Sequence, residues 1–457
     1  MDSLQNIHFI AIGGAAMHNL AIVLAQKGCN VTGSDDEIYE PSRTKLDNVG
    51  ILPTQMGWFP DKIHTDIDAI ILGMHARADN PELIKAQALG LKIYSYPEYI
   101  YSQSVHKQRI VIAGSHGKTT TTAMILHVLK HQNRNFDYMV GAKIEGFDTM
   151  TKLSDDAPVI VIEGDEYLSS PIDRRPKFYH YHHHIALITG IAWDHINVYP
   201  TFEGYVQQFE NLADASPKSG YLTYDQSDEL LNAVAQKPRA DLLTVGYEAH
   251  PHLLKNGKTF LLTPENEEVE VPFFGLHNMK NLAGAKNILT QIGVTDKAFY
   301  EAIMSFRGAA NRLEIVAQGH NSVVYRDFAH APSKVEATQA AVKAQFPDRK
   351  LIACLELHTF SSLNKNFLGQ YKNKLNSPDI AIVYYSPKTI AHKKLEAIAP
   401  HEIIEAFNNP NLKVFTEREE LTAFLKSQSW GKTNLLLMSS GTFDKMDLRE
   451  LSTLIEN

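Results

Sequence analysis

The run Ala113-Gly114-Ser115-His116-Gly117-Lys118-Thr119-Thr120 sits between the apolar stretch Arg109-Ile110-Val111-Ile112 and a helix-like stretch over 121–129. A strand that passes through a glycine turn straight into a helix aims backbone N–H groups and the helix N-terminus at one anion. Lys118 adds a full charge there, and Thr119 offers a hydroxyl to Mg²⁺. The arrangement predicts an α/β sheet with an ATP phosphate chain held by Gly114, Ser115, His116, Gly117, Lys118, Thr119 and Thr120. Ile112 stands where the longer phosphate-loop pattern has its first glycine, so the loop is the shorter Gly-x-x-Gly-Lys-Thr form.

At 457 residues the chain is too long for one ordinary core, and about three domains are expected. Its rhythm is α/β throughout. Apolar runs at 7–12, 30–32, 69–72 and 92–94, with a helix over 17–26, read as parallel strands joined by crossover helices. The linker 102–108 puts a boundary near 107. Strand-like runs at 159–162, 185–191 and 221–224 follow, and after 305–308 come buried strands at 323–325, 351–355, 380–384 and 434–438. The resulting segments are 1–106, 107–308 and 309–457.

Composition narrows the function classes. A net charge of −8 without a long basic run argues against a nucleic-acid surface, whose affinity comes from neutralising phosphates. No window resembles a membrane span, and Met1-Asp2-Ser3-Leu4-Gln5 lacks the regions of a secretory signal, so a soluble cytoplasmic protein is expected. Cys29 and Cys354 lie far apart in apolar contexts. Neither a disulfide framework nor a cysteine metal site is expected, and both read as inert core thiols.

Several constellations could carry chemistry. Gly13-Gly14-Ala15-Ala16-Met17 turns a strand into a helix as in dinucleotide folds, and Gly33-Ser34-Asp35-Asp36 places acids where such folds bind a ribose or base edge. A pair of tight turns with a helix cap is the alternative reading. Glu163-Gly164-Asp165-Glu166-Tyr167 follows a buried strand, which puts Glu163 at a strand end facing the phosphate loop, where a carboxylate suits Mg²⁺. Trp193-Asp194-His195 could bring His195 to a second metal, or be an acidic surface loop with a structural histidine. His180-Tyr181-His182-His183-His184 invites a zinc assignment, but neighbours on a strand point to opposite faces and no cysteine joins them, so it reads as a strand approach with titratable surface groups. Later come His277-Asn278-Met279-Lys280-Asn281, Asn311-Arg312-Leu313-Glu314 and Asp327-Phe328-Ala329-His330-Ala331-Pro332. Amides at a helix start can bond an adenine edge, Arg312 can neutralise a transferring phosphoryl group, and Asp327 can hold ribose hydroxyls. Each could equally be a cap or an ion pair.

The order Gly-x-x-Gly-Lys-Thr-Thr, Glu-x-Asp-Glu, Asp-His, His-Asn-x-x-Asn, Arg-Leu-Glu, Asp-Phe-Ala-His-x-Pro resembles the Mur ligases, the ATP-dependent amide-forming enzymes of peptidoglycan precursor synthesis, over nearly the whole chain. The resemblance implies a Rossmann-like UDP-sugar domain at 1–106, a central ATPase at 107–308 and a Rossmann-like domain for the incoming amine at 309–457. It implies UDP-sugar contacts at Gly13, Gly14, Ala15, Met17, Ser34 and Asp35, and nucleotide contacts at Asn278, Asn281, Arg312 and Asp327. Metal ligation falls to Thr119, Glu163 and His195. Catalytic roles fall to Lys118, Glu163, His195, Arg312 and His330, the last orienting a phosphate or merely bonding the Pro332 turn.

The glycine-rich start and Val31-Thr32-Gly33-Ser34-Asp35 look like the branch whose substrate is UDP-N-acetylmuramate, with L-alanine or a recycled tripeptide as partner. Tyr39-Glu40-Pro41, Asp165-Glu166-Tyr167, the run Asp173-Arg174-Arg175-Pro176-Lys177-Phe178-Tyr179-His180-Tyr181 and Met438-Ser439-Ser440-Gly441-Thr442-Phe443 resemble the tripeptide ligases. The chain departs from the family pattern at Ala11 and Ala16 for glycines, Ser169 for an acid, and Arg326 and Ala331 for Asp and His. The arginine expected within 357–362 is missing, and so is any lysine between His195 and Pro217, so no carbamoylated lysine is expected.

The chemistry so implied activates a carboxylate as an acyl phosphate, which a free amine then attacks. The implied ligands come from both the second and third segments, so nucleotide is expected to close the domains. Lys118→Ala is expected to abolish ATP-dependent amide formation while leaving the fold intact. Phosphate release and circular dichroism check this, and unchanged turnover would remove the loop from the reaction.

Overall fold

The computed structural model describes residues 5–193, 195–237, 239–309, 312–447, 450–451 and 455. Asp194 and Asn311, both motif residues, lie outside these. By packing, the chain divides into two units: 1–191 with 206–246, and 192–205 with 247–457.

In the first unit, β1 (Asn6–Ile10), β2 (Asn30–Ser34), β3 (Ala69–Leu72) and β4 (Ile93–Ser95) form a parallel sheet in the order β2-β1-β3-β4. Strand order reverses beside β1, and ligands of open α/β sheets bind at such switch points, outside the carboxyl ends of the strands. The next sheet runs through β5 (Gln108–Ala113), β6 (Asp137–Met139), β7 (Thr151–Lys152), β8 (Val159–Glu163), β9 (Ile185–Ile188), β10 (Tyr221–Asp225) and β11 (Leu243–Tyr247), in the order β11-β10-β9-β5-β8-β6-β7. Strand β5 lies between β9 and β8, parallel to both, so its carboxyl end is a second switch point. Ile110, Val111 and Ile112 are wholly buried, as are Ile160, Val161 and Ile162. Helices cover both faces of such a sheet, and its inner strands therefore read as unbroken apolar runs.

In the second unit, β12 (His252–Lys255), β13 (Lys258–Leu262) and β14 (Glu268–Val271) make an antiparallel meander. Then β15 (Glu314–Gln318), β16 (Val323–Asp327), β17 (Lys350–Glu356), β18 (Ile380–Tyr384), β19 (Lys413–Phe415) and β20 (Thr433–Met438) form a sheet in the order β15-β16-β20-β17-β18-β19, parallel except at its β15 edge. Its two faces carry separate apolar cores, one around Val335, Leu355 and Leu436, the other around Ile352, Cys354 and Leu437. The molecule is thus α/β, with three sheet-bearing domains. Among the described residues no helix is long and apolar enough to cross a membrane.

Three local expectations are corrected. Residues 177–181 form a 3-10 helix, and His182 leaves it in a left-handed turn, so the histidine run reaches β9 through a helical turn and not as extended chain throughout. Nor are its members all surface groups: His180 and His183 are buried. Phe178 and Tyr181 anchor the turn in the core with no exposure, and that burial pulls the intervening polar side chains inward. The strand expected over 185–191 ends at Ile188, because Gly190 takes φ +146. Cys354 is a core thiol, but Cys29 is only half-buried, in the short turn between the first helix and β2.

His183 hydrogen-bonds to the Ser216 hydroxyl at 2.9 Å. Burial first, then the neighbouring His184, His182 and Arg109, pushes its pKa down to about 4. An imidazole freed by unfolding titrates near 6.5, so the unfolded chain takes up the proton first as pH falls. Stability contributed by neutral His183 is therefore present above pH 6.5 and is lost between about 6.5 and 4, a swing of about 3 kcal/mol. Replacing His183 with Gln is expected to flatten this part of the pH dependence of urea unfolding.

Candidate active site

Strand β5 ends at Ala113, and the loop 114–117 delivers the chain into the helix Lys118–His131. Gly114 takes φ +125, and a Cβ there would stand 2.1 Å from the Thr189 hydroxyl, so only glycine fits. Gly117, left-handed at φ +77, is the helix N-cap. The loop is pinned from β9: Ser115 N–H donates to the Gly190 carbonyl at 3.0 Å, and the Thr189 hydroxyl donates to the Ala113 and His116 carbonyls.

Two acid–loop contacts dominate. Lys118 Nζ lies 2.7 Å from Glu166 Oε2 and also donates to the Gly114 carbonyl. The Thr119 hydroxyl donates to Glu163 Oε1 at 2.8 Å, and Glu163 Oε2 accepts the Gly141 N–H at 2.8 Å. Burial disfavours the Lys118 charge, but Glu166, Asp165 and Glu163 outweigh it and raise the ammonium pKa. Asp165 pairs with Lys177 at 2.6 Å. Burial opposes its ionisation, yet Lys177 and Lys118 hold its carboxyl below the usual range. Sequence reasoning placed Lys118, Thr119 and Glu163 here. It missed Glu166 and Lys177 as partners, although both lie in motifs it had singled out.

At the carboxyl end of β1, Gly14 caps the helix Ala15–Gln26 and Gly13 N–H donates to Asp35 Oδ2 at 2.7 Å. That helix begins two residues before the expected Met17, bringing Ala15 into its first turn. A Cβ on Gly13 would sit 2.9 Å from the same Asp35 oxygen. Burial, reinforced by Asp36 against the Gly13 bond, pushes the Asp35 pKa up to about 6. Ser34 is buried, with the Lys62 ammonium 3.3 Å from its hydroxyl. Beneath lies a buried network that the sequence did not signal: Glu82 contacts His8 Nε2 at 3.3 Å and accepts the Phe59 N–H at 2.7 Å, while His8 Nδ1 meets Thr32.

In the second unit, Arg312 stacks over the Phe328 ring, 4.7 Å from its centroid. Asp327, buried at the end of β16, accepts Leu313 N–H at 2.7 Å and Ala329 N–H at 2.6 Å. Its burial outweighs Arg312 and raises its pKa. His330 Nδ1 meets the Phe328 carbonyl at 2.9 Å. Arg312, Asp327 and His330 thus share one corner. Asn278 and Asn281 lie instead on the helix Leu276–Gln291, with the Asn278 amide donating to the Phe274 carbonyl at 2.8 Å. His195 sits at φ +57, its carbonyl accepting the Val198 and Tyr199 N–H groups.

Family models match the chain in three successive stretches: Mur ligase family, catalytic domain, over 6–106; Mur ligase middle domain over 112–289; and Mur ligase, glutamate ligase domain, over 311–441. UDP-N-acetylmuramate–L-alanine ligase of Carboxydothermus hydrogenoformans is 30% identical over 367 residues, 78% of this chain and 76% of that one. The UDP-N-acetylmuramate–L-alanyl-γ-D-glutamyl-meso-2,6-diaminoheptandioate ligase of Haemophilus influenzae is 26% identical over 463 residues, 96% of this chain and 97% of that one. Among solved structures, a murein peptide ligase from Psychrobacter arcticus matches 98% of both chains with a TM-score of 0.66 at 23% identity. A UDP-N-acetylmuramate-alanine ligase from Thermotoga maritima matches 98% of this chain and 99% of that one with a TM-score of 0.70 at 21% identity. Those structural likenesses speak for the fold, and the sequence relatives for more: the chain belongs to the Mur ligase family of ATP-dependent, amide-forming ligases.

Proposed function

We propose that this ligase joins the carboxylate of UDP-N-acetylmuramate to the amine of L-alanyl-γ-D-glutamyl-meso-diaminopimelate, serving peptidoglycan recycling. The observation that carries the choice of acceptor is the segment from Asp165 to Tyr181, whose sequence resembles the tripeptide ligases. It is built as a tight excursion: Leu168 bridges to Pro176, Ser169 N–H donates to the Arg175 carbonyl at 3.0 Å, and the 3-10 helix Lys177–Tyr181 returns the chain to the core. A relative carrying the tripeptide-ligase name aligns over 96% of this chain and 97% of its own length, and one named for L-alanine ligation over 97% and 96%. A second reading, with L-alanine as acceptor, is favoured by the 30% identical relative of that name.

Both readings share one mechanism. A carboxylate does not acylate an amine in neutral water, so it is first phosphorylated: its oxygen bonds to the γ-phosphorus of ATP as the bond to the β-phosphate oxygen breaks. The amine then adds to the acyl carbonyl, loses a proton, and phosphate leaves. The backbone N–H groups of the loop 114–119 would cradle the triphosphate, and Lys118 would turn from Glu166 to the phosphates and follow the charge as it moves. Arg312 would add charge, Asp327 and the Asn278 and Asn281 amides would hold the nucleoside, and His330 would orient a phosphate. The Gly13–Met17 turn with Ser34 and Asp35 would hold the UDP-sugar.

The donors beside Lys118 suit a hard cation. The Thr119 hydroxyl and the Glu163 carboxylate, 2.8 Å apart, are both oxygen, which fits Mg²⁺, and His195 would serve a second ion. Bound there, Mg²⁺ supplies charge that neutralises phosphate oxygens.

Offered ATP, UDP-N-acetylmuramate and equal concentrations of L-alanine and the tripeptide, the enzyme is expected to release ADP and form the tripeptide amide in large excess. Mass spectrometry of the product reads this directly. An L-alanine product would install the second reading, and a phosphorylated sugar without an amide would overturn both.

A further inference from the structure

We propose that Lys177 is a second cation of the reaction, binding the donor carboxylate and the acyl-phosphate oxygens it becomes part of, on the path from the first sheet to the phosphate loop. The proposal rests on UDP-N-acetylmuramate being the donor. It concerns a residue that none of the roles above includes.

Lys177 is held to the phosphate site by its backbone as well as its side chain. Its N–H donates to the Tyr167 carbonyl at 2.9 Å, and the Phe178 N–H donates to the Asp165 carbonyl at 3.2 Å. Residues 177–178 are thereby laced to the loop whose next member, Glu166, pairs with Lys118. The Lys177 ammonium lies 2.6 Å from Asp165 Oδ2. On its other side the 3-10 helix it opens packs on the helix Tyr96–Ser102 of the first domain, with His180 Nδ1 4.0 Å from Glu98 Oε1. His75, three residues past the end of β3, is held below the ordinary histidine range by burial and then by the charge of Lys177. Lys177 therefore neighbours both the phosphate loop and the carboxyl edge of the first sheet, where open α/β sheets bind their ligands.

The chemistry needs a cation at that place. A carboxylate approaching the γ-phosphoryl group brings negative charge toward negative charge, and Lys118 is already committed to the nucleotide phosphates. Lys177 takes no covalent part: the carboxylate oxygen bonds phosphorus and ADP departs, while the side chain offsets the charge gathered on the donor. The Lys177 and Asp165 side chains are half-buried, 22% and 36% exposed, so the ammonium is open on one side to a second carboxylate.

The full-length enzyme, given ATP, UDP-N-acetylmuramate and hydroxylamine without an amino-acid or peptide acceptor, traps the acyl phosphate as a hydroxamate. Lys177→Gln is expected to lower hydroxamate formation and raise KM for UDP-N-acetylmuramate by about tenfold or more, the worth of one charge-assisted hydrogen bond, with KM for ATP changed less than about twofold. Lys177→Arg is expected to recover most of the loss. Should Lys177→Gln fail to fold, the wild-type protein decides: UDP-N-acetylmuramate is expected to protect Lys177, relative to exposed lysines such as Lys297, from acetylation read by mass spectrometry. Unchanged kinetics in Lys177→Gln, an equal rise in KM for ATP, or no protection would each overturn the proposal. A wild-type enzyme that ignores UDP-N-acetylmuramate with every amine fails the donor reading instead, and this inference falls with it.

Discussion

The structure around β5 depends on one electrostatic arrangement. Positively charged Lys118 and the open N-terminus of its helix would be costly to bury alone, and Glu163, Asp165 and Glu166 on the neighbouring strand end settle them. These acids arrive there because β8 runs parallel beside β5, in a register that pairs Ile112 with Glu163. Parallel pairing brings both carboxyl ends to one edge, so the residues following each strand meet. The topology of the sheet, more than any loop, creates the site.

The same logic explains what could be read from the chain without coordinates. Strands β5, β8 and β9 are buried on both faces, and their apolar runs are legible as such. The glycine turn and the acids after β8 are legible because backbone geometry and charge demand those residue types. The meander β12–β14 went unread because its strands are short and bear lysine and glutamate on an exposed face, where period-two patterning is weak. The edge strand β15 escaped for a related reason, being short, mostly exposed and bulged between Ile315 and Ala317. The histidine run misled because its burial is dictated by Phe178 and Tyr181, whose partners lie elsewhere in the chain. His8 and Glu82, 74 positions apart, were invisible for the same reason. Motif order spoke for the nucleotide loop. The partners Glu166 and Lys177 needed tertiary structure.

One departure from the family pattern has a clear local consequence. Ala11 stands where a glycine is common and adopts φ +67, a left-handed conformation that costs a residue bearing a Cβ about 1–2 kcal/mol. The turn tolerates it because Ala11 and Ile12 N–H groups both donate to the Ser34 carbonyl, at 2.9 and 3.2 Å. Those bonds tie the end of β1 to the end of β2. They also bring Gly13 within reach of Asp35, so the strained residue and the glycine–aspartate contact belong to one turn.

Charge at the phosphate loop sets a condition on its ligand. Glu163, Asp165 and Glu166 face Lys118 and Lys177, so with all of these groups ionised the five together carry one excess negative charge. A triphosphate arriving alone would meet an environment of its own sign, and the backbone N–H groups offer only partial charges in compensation. Its entry is favoured when Lys118 is released from Glu166 and when a cation accompanies the phosphates, and an oxygen-donor pair such as Thr119 and Glu163 can accept that cation. The acids that keep Lys118 charged and ordered thus become, on the proposed function, the groups that make nucleotide binding depend on a divalent ion. The ordering of Lys118 and the proposed selectivity for a metal–nucleotide complex then rest on the same carboxylates.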